Sequence, residues 1–266
     1  MVNHVFSHLS EAAFKIPLHQ SSVTAWQGHI PFAFWCLDQW RPKNFVELGT
    51  HLGDSYFAFC QAAKENATGT QCYAVDSWQG DAHTGPYDST IYEHVQQHNQ
   101  QHYQDFSLLL RMNFDSALEK FSDRSIDLLH IDGLHTYEAV AHDFNTWLPK
   151  MSERGIILFH DSNVYEKDFG VWQLMREIET SYPHFHFYHS FGLSIFFVGE
   201  NLPETARWLL GISAHDGDQW RMIFSHLGGC VVQRAEAFFQ QMHFQQELQK
   251  RDSINQNLAT APTNPA

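Results

Sequence analysis

Five short apolar runs recur between residues 44 and 161, and a helix-forming stretch separates most of them from the next. They are NFVELGT (44–50), QCYAVDSW (71–78), FSLLLRMNF (106–114), SIDLLHIDG (125–133) and RGIILFHD (154–161). Strands that alternate with helices cannot pair as hairpins. The short crossovers predict a parallel sheet with helices on both faces. Between the runs, DSYFAFCQAAKEN (54–66) places Tyr56, Phe59, Cys60 and Ala63 on one face. TYEAVAHDFNTWLPK (136–150) turns Val140, Phe144, Trp147 and Leu148 inward and stops at Pro149. QGDAHTGPYDST (79–90) is polar and predicts a loop. HFHFYHS and GLSIFFVG flank an FG turn and predict a β-hairpin at one edge of the sheet. The expectation is an α/β, doubly wound, Rossmann-like sheet over residues 1–200, mostly parallel with a C-terminal antiparallel hairpin.

The character changes after residue 200. PETARWLLGIS and QWRMIFSHL have the spacing of packed helices, and a Gln-rich stretch from Val231 keeps Ala235, Phe238, Phe239, Met242 and Leu248 near helical spacing. A helical extension is expected over 201–252, either a short coiled coil or a helix lying on the domain. Residues 253–266, ending in TAPTNPA, are expected to be a disordered tail or linker. Phe238, Phe239 and Met242 make 231–250 a candidate surface for self-association or for a partner domain.

Charge narrows the function. Sixteen Lys and Arg against 30 Asp and Glu give a formal charge of −14, a poor match for nucleic acid or an anionic membrane. Cys36, Cys60, Cys72 and Cys230 show no close pairing and no metal-type spacing, so free thiols in a reducing compartment are expected. No apolar run reaches the ~20 residues needed to span a bilayer, and the N-terminus lacks a basic region followed by an apolar one. A cytoplasmic protein is the expectation.

In an open α/β sheet, ligands sit beyond the C-terminal ends of the strands. VELGTHLGDS occupies that place after the first strand. Its glycines, Gly49 and Gly53, are spaced G-x-x-x-G, which departs from the dinucleotide G-x-G-x-x-G and argues against a pyrophosphate. Glu47, at the start of the loop, would repel a phosphate and suit a cationic ligand. S-adenosylmethionine is such a ligand, with an ammonium, a sulfonium and no phosphate. Asp76 ends the second strand, where a carboxylate can accept from ribose hydroxyls. Trp78 is a candidate cover for the adenine face. Thr50, Ser55 and Ser77, in the same two turns, complete the candidate cofactor set, together with Asp132. A plain tight turn is the bland alternative.

On GHIPFAFW, RPKNFVELGT, CYAVDSWQGD, SIDLLHIDGLHTYEAVAHDFNTWLP and ILFHDSNV followed by FGVWQLM, the chain resembles the class I S-adenosylmethionine-dependent methyltransferases. It is most similar to the branch attached to bacterial glycosyltransferases of surface-polysaccharide synthesis. More distantly it resembles metal-dependent sugar O-methyltransferases with a strand-end D-x-x-H. The resemblance covers roughly residues 25–200. It implies O-methyl transfer from S-adenosylmethionine to a saccharide hydroxyl, and glycosyltransferase domains as partners.

The resemblance puts Asp132, at the end of the fourth strand, beside the transferring methyl. Gly133 allows a sharp turn, and His135 starts the next helix. A sugar hydroxyl is a weak acid, so it needs a general base, a metal, or both. His135 is the candidate base. Asp132 and Asp161 end adjacent strands and are candidate ligands of a hard divalent cation such as Mg²⁺. The metal-dependent relatives carry a further acid after the second strand-end Asp; here Ser162 and Asn163 follow. Asp132 could instead merely cap the helix at 134–148, and His135 could merely pack. His160 points away from Asp161 along a strand and reads as core. Tyr137, Asp81, His83 and Tyr87 are candidate acceptor-site residues. Two other functions stay open: a cofactor-binding interaction module without turnover, and a nicotinamide-dependent oxidoreductase, which the glycine spacing disfavours.

Overall fold

The computed structural model of the chain describes residues 5–166 and 168–260, with side chains as far as residue 253. Short 3₁₀ turns lead to α1 (Ile30–Trp40), then β1 (Asn44–Leu48), α2 (Asp54–Glu65) and β2 (Gln71–Asp76). The polar stretch that follows holds a small hairpin, β3 (Gly80–Asp81) and β4 (Gly85–Pro86), which periodicity does not reveal. Next come α3 (Ser89–His102), β5 (Ser107–Arg111), α4 (Phe114–Ala117), β6 (Ile126–Ile131), α5 (Tyr137–Trp147) and β7 (Met151–His160). The chain continues with α6 (Val171–Ile178), β8 (His184–Phe187), β9 (Leu193–Phe197), α7 (Glu204–Gly211) and α8 (Ala214–Thr260).

Seven strands form one sheet in the order β5-β2-β1-β6-β7-β9-β8. The first five are parallel; β9 runs antiparallel to β7, and β8 antiparallel to β9. The expected Rossmann-like sheet and its closing hairpin are therefore present. Because side chains alternate along a strand, each inner strand feeds two cores. Phe45, Leu128, Ile156 and Leu158 pack with α1 and α2 on one side, and Val46, Leu129, Ile157 and Phe159 pack with α5 and α6 on the other. This two-sided burial explains why the strands read as continuous apolar runs rather than alternating ones.

Trp220 and Phe224 of α8, with Ala206 and Leu209 of α7, join the core on the α1 side. A single helix passes through Gly228 and Gly229. Gly228 is needed for contact: a Cβ there would sit 1.9 Å from the carbonyl oxygen of Gly28. Among the described side chains Ala235 is the last buried one of α8; Phe238, Met242, Phe244 and Leu248 beyond it are exposed. The expected disordered tail at 253–266 is corrected in part, since α8 continues to Thr260. No proline interrupts the helix before Pro262, and residues 261–266 lie outside the described residues. Cys36, Cys60, Cys72 and Cys230 are free thiols, the first three buried. Among the described residues no helix is long and apolar enough to cross a membrane.

Candidate active site

The chain leaves β1 toward β2 and β5 in one direction, and β6 and β7 extend the sheet in the other. The strand ends at this reversal open a crevice, the place where α/β sheets bind ligands. A cavity of about 390 Å³ lies there, within the size range of small-molecule sites. Its walls include Asp54, Asp76, Asp81, Asp132 and Asp161 and, among the described residues, no Lys or Arg. Such an acidic wall suits a cationic ligand and opposes a polyphosphate.

The turn after β1 is built for close approach. Gly49 has φ +87°, and a Cβ there would meet the Asp132 carbonyl oxygen at 2.1 Å. Asp76 holds this turn. It accepts from the backbone N–H of Thr50 (2.8 Å), His51 (2.9 Å) and Trp78 (2.6 Å). A carboxylate offers about four acceptor positions, so Asp76 keeps about one for a ligand hydroxyl. Gly49, Thr50, Ser55, Asp76 and Ser77 all line the cavity.

Three expected cofactor residues are not in that wall. Glu47 is fully buried and accepts a hydrogen bond from His130 Nδ1 at 2.8 Å, while His130 accepts at its other nitrogen from the Trp26 indole. Burial raises the Glu47 pKa and His130 and Ser55 oppose the rise, so Glu47 braces the strand end from behind. Gly53, at φ +87°, starts α2. Trp78 is buried, donates to the His51 carbonyl at 3.0 Å and packs on Tyr92. Its indole faces the loop that it anchors rather than the cavity.

At the other end of the cavity, Asp132, His135 and Asp161 converge. Asp161 adopts φ +55°, a strained conformation for a residue with a side chain, at the end of β7. His135 Nε2 is 2.9 Å from Asp161 and 3.4 Å from Asp132. Thr136, rather than Asp132, caps α5 by accepting from the Ala139 N–H. The capping alternative for Asp132 therefore fails. His160 is buried, as expected of a core residue, but its direction is corrected: its Nδ1 lies 3.3 Å from both carboxylates. Its Nε2 faces the Ser190 carbonyl at 3.0 Å. Both nitrogens thus meet only acceptors, so both carry protons and His160 is a buried cation. The strand bend at Asp161 swings that carboxylate toward His160, which strict two-residue alternation does not anticipate.

The charges follow from this geometry. Burial disfavours ionisation of every member, but the pairing outweighs it. Asp132 and Asp161 are held below the ordinary carboxylate range by His160 and His135. For His135, hydrogen bonds and charge from Asp132 and Asp161 overcome desolvation and push the pKa up to about 9. At neutral pH His135 is therefore an imidazolium while it faces two bare carboxylates. One ligand atom from each of Asp132, His135 and Asp161 falls within 4.8 Å of the others, so a cation fits among them.

The loop around β3 and β4 covers this end. His83 stacks on Phe169 and lies parallel to His135, with ring centroids 4.7 and 5.5 Å away. Tyr87 stacks on His51, and both line the cavity with Asp81. Tyr137 instead donates to Glu177. Sequence reasoning missed the opposite wall, Val23, Ala25 and Trp26, whose segment is pinned by Asp54 through Ser21 and Gln27. No periodicity marks that segment. Asp54, directly after Gly53 in the first loop, carried a readable signal.

A mostly parallel sheet with this reversal, an antiparallel closing hairpin and a cavity at the switch point is a Rossmann-like arrangement. Residues 46–162 match the family model described as a methyltransferase domain. A protein of Sinorhizobium fredii, itself uncharacterized, is 46% identical over 197 residues, covering 74% of this chain and 22% of its own length. An uncharacterized protein of Acanthamoeba polyphaga mimivirus is 28% identical over 126 residues, covering 46% of this chain and 52% of its own. The chain thus spans about a fifth of the first relative and half of the second. A crystal structure from Staphylococcus aureus, provisionally described as a caffeoyl-CoA O-methyltransferase, superposes with a TM-score of 0.51 at 14% identity. It covers 74% of this chain and 92% of that one, which supports the fold.

Proposed function

We propose that this chain is an S-adenosylmethionine-dependent O-methyltransferase whose acceptor is a sugar hydroxyl, working in bacterial surface-polysaccharide synthesis in the cytoplasm. The observation that carries the enzymatic part is the cavity itself. One end offers the Asp76 carboxylate and the Gly49 turn; the other offers Asp132, His135 and Asp161; among the described residues no Lys or Arg lines either. Bound S-adenosylmethionine supplies an electrophilic methyl group. Gly49, Thr50, Ser55, Asp76 and Ser77 would bind its carrier, with Asp132 near the reacting end. The saccharide acceptor is supported by the motifs shared with sugar methyltransferases, and Asp81, Tyr87 and His83 stand where an acceptor would enter.

Asp132 and Asp161 would hold a divalent cation, Mg²⁺ being the hard-ligand choice. Such an ion lowers the pKa of a hydroxyl and neutralises the two carboxylates. His135 is the residue placed to take the acceptor proton, and it is available only when its own proton has left. Ser162 stands where metal-dependent relatives carry another acid, so the protein donors here would be the two carboxylates alone, with His135 left as the base.

Residues 1–200 would form the methyltransferase unit and 201–252 an added helical layer. The exposed end of α8 would dock a second copy of the chain or glycosyltransferase domains. Titration calorimetry with S-adenosylhomocysteine tests the central claim: one site is expected, and no heat with NAD. Heat with NAD alone would overturn it. Methyl transfer to saccharide acceptors, assayed with and without chelator and Mg²⁺, tests the rest.

A further inference from the structure

A second group of metal-type donors lies away from the cavity, at the sheet edge formed by β8. His184 and His186 are two residues apart on this strand and share one of its faces. Glu179, just past the end of α6, meets them. One ligand atom from each of the three falls within 4.8 Å of the others. They border a separate cavity of about 340 Å³.

The orientation of the two rings is the informative feature. His184 Nδ1 lies 3.1 Å from the Tyr182 carbonyl, which can only accept, so Nδ1 carries the proton and Nε2 keeps its lone pair. His186 Nδ1 is engaged by Ser194 Oγ at 2.7 Å. Its Nε2 is buried without a hydrogen-bond partner, although Glu179 Oε1 lies 3.2 Å away. The separation is that of an ion pair, but the atoms are not aligned as one hydrogen bond. Each imidazole is thus fixed at Nδ1 by a second group, as in metal sites, where the non-ligating N–H is normally held by a carbonyl or another acceptor.

We propose that Glu179, His184 and His186 form a binding site for a borderline transition-metal ion, Zn²⁺ in the first instance. Two imidazole nitrogens and one carboxylate oxygen suit Zn²⁺, Co²⁺ or Ni²⁺ and disfavour Mg²⁺, which prefers all-oxygen sets. Three protein donors leave one position of a tetrahedral ion open toward the cavity. The ion would tie the edge hairpin to the end of α6. Ser162 and Asn163, which follow Asp161, line the same cavity. Arg176 and Arg221 lie near and oppose the incoming charge, and Glu179 offsets part of it.

The test uses full-length protein stripped with chelator and dialysed. Co²⁺ is titrated while visible absorption is followed, then Zn²⁺ is added in competition. One equivalent of Co²⁺ with tetrahedral d–d bands, displaced by Zn²⁺, is expected. His184→Ala, at the strand edge, Glu179→Gln and His186→Ala should each weaken binding at least about ten-fold, as loss of ligand-sphere groups does. Asp161→Asn should bind as wild type, because its carboxylate belongs to the other cavity. The proposal is overturned if no d–d bands appear. It is equally overturned if binding survives in His184→Ala and vanishes in Asp161→Asn.

Discussion

Asp143 lies on the inner face of α5, 6% exposed, and among the described residues no side chain hydrogen-bonds or pairs with its carboxylate. It sits behind the Asp132–His135 turn: a Cβ placed on Gly133 would lie 3.6 Å from Asp143 Oδ2. Burial raises its pKa from 3.8 to about 7; His142 opposes the rise and Asp115 adds to it. Between those pH values the folded chain holds a proton that the unfolded chain releases. Stability therefore falls as pH rises from about 4 to about 7, and the full penalty is present above 7. Three units correspond to about 4 kcal/mol at 1.36 kcal/mol per unit. Water reaching the group trims this, so Asp143→Asn should gain about 2–4 kcal/mol at pH 8. At roughly 2–4 °C per kcal/mol for a chain of this size, the melting temperature should rise by roughly 4–16 °C. At pH 4 most of the gain should be gone, because Asp143 is then protonated in the folded state and close to half protonated in the unfolded one. Thermal melts of both proteins at pH 4 and pH 8 decide the matter. An equal gain at both pH values, or a loss at pH 8, would refute the buried-charge argument.

Gly49→Ala should cost about 2–4 kcal/mol from its positive φ and its clash with the Asp132 carbonyl, and calorimetry should show at least about ten-fold weaker S-adenosylhomocysteine binding. His135→Ala should lose about 10²–10⁴-fold in turnover with cofactor binding intact, the range for a positioned base; near-wild-type turnover would place the base elsewhere. Without added metal, turnover should rise with pH toward about 9, where His135 loses its proton, and Mg²⁺ should shift that rise to lower pH; the two pH–rate profiles measure this. A chain ending at Ala237 keeps the buried Ala235, so its melting temperature should match full length while light scattering reports a smaller species; identical species would remove α8 as an association surface.

The architecture was legible because a parallel sheet covered on both faces leaves unbroken apolar runs. Those runs marked β1, β2, β5, β6 and β7, and the FG turn marked the β8–β9 hairpin. Boundaries were less legible: β7 starts at Met151, three residues before its apolar run, and the β3–β4 hairpin has only two residues per strand. In the site, glycine spacing and strand-end acids found Gly49, Asp76, Asp132 and Asp161, since these positions follow from topology. Val23, Ala25 and Trp26 were invisible because their contacts with the cavity are long-range and carry no period. Glu47 and Trp78 were placed in the wall although both brace it from behind. Sequence spacing gives a distance from a strand end and no side-chain direction.

His160 shows why the missed residue matters to the chemistry. Two carboxylates at neighbouring strand ends repel each other, and with no counter-charge one of them would bind a proton. His160 prevents this from below, with both nitrogens on acceptors, while His135 closes the same pair from above. Asp132 and Asp161 thus remain ionised, with two imidazolium charges compensating them. A cation entering from the cavity can displace only the His135 proton, because His160 is buried and tied to the Ser190 carbonyl. The arrangement separates two roles that the sequence leaves merged: His160 keeps the carboxylates charged, and His135 is the exchangeable partner that faces the acceptor. Replacing His160 with Gln should raise the carboxylate pKa values and weaken cation binding, whereas replacing His135 should spare it. Isothermal titration with Mn²⁺ distinguishes the two, and equal losses in both variants would contradict this division of labour.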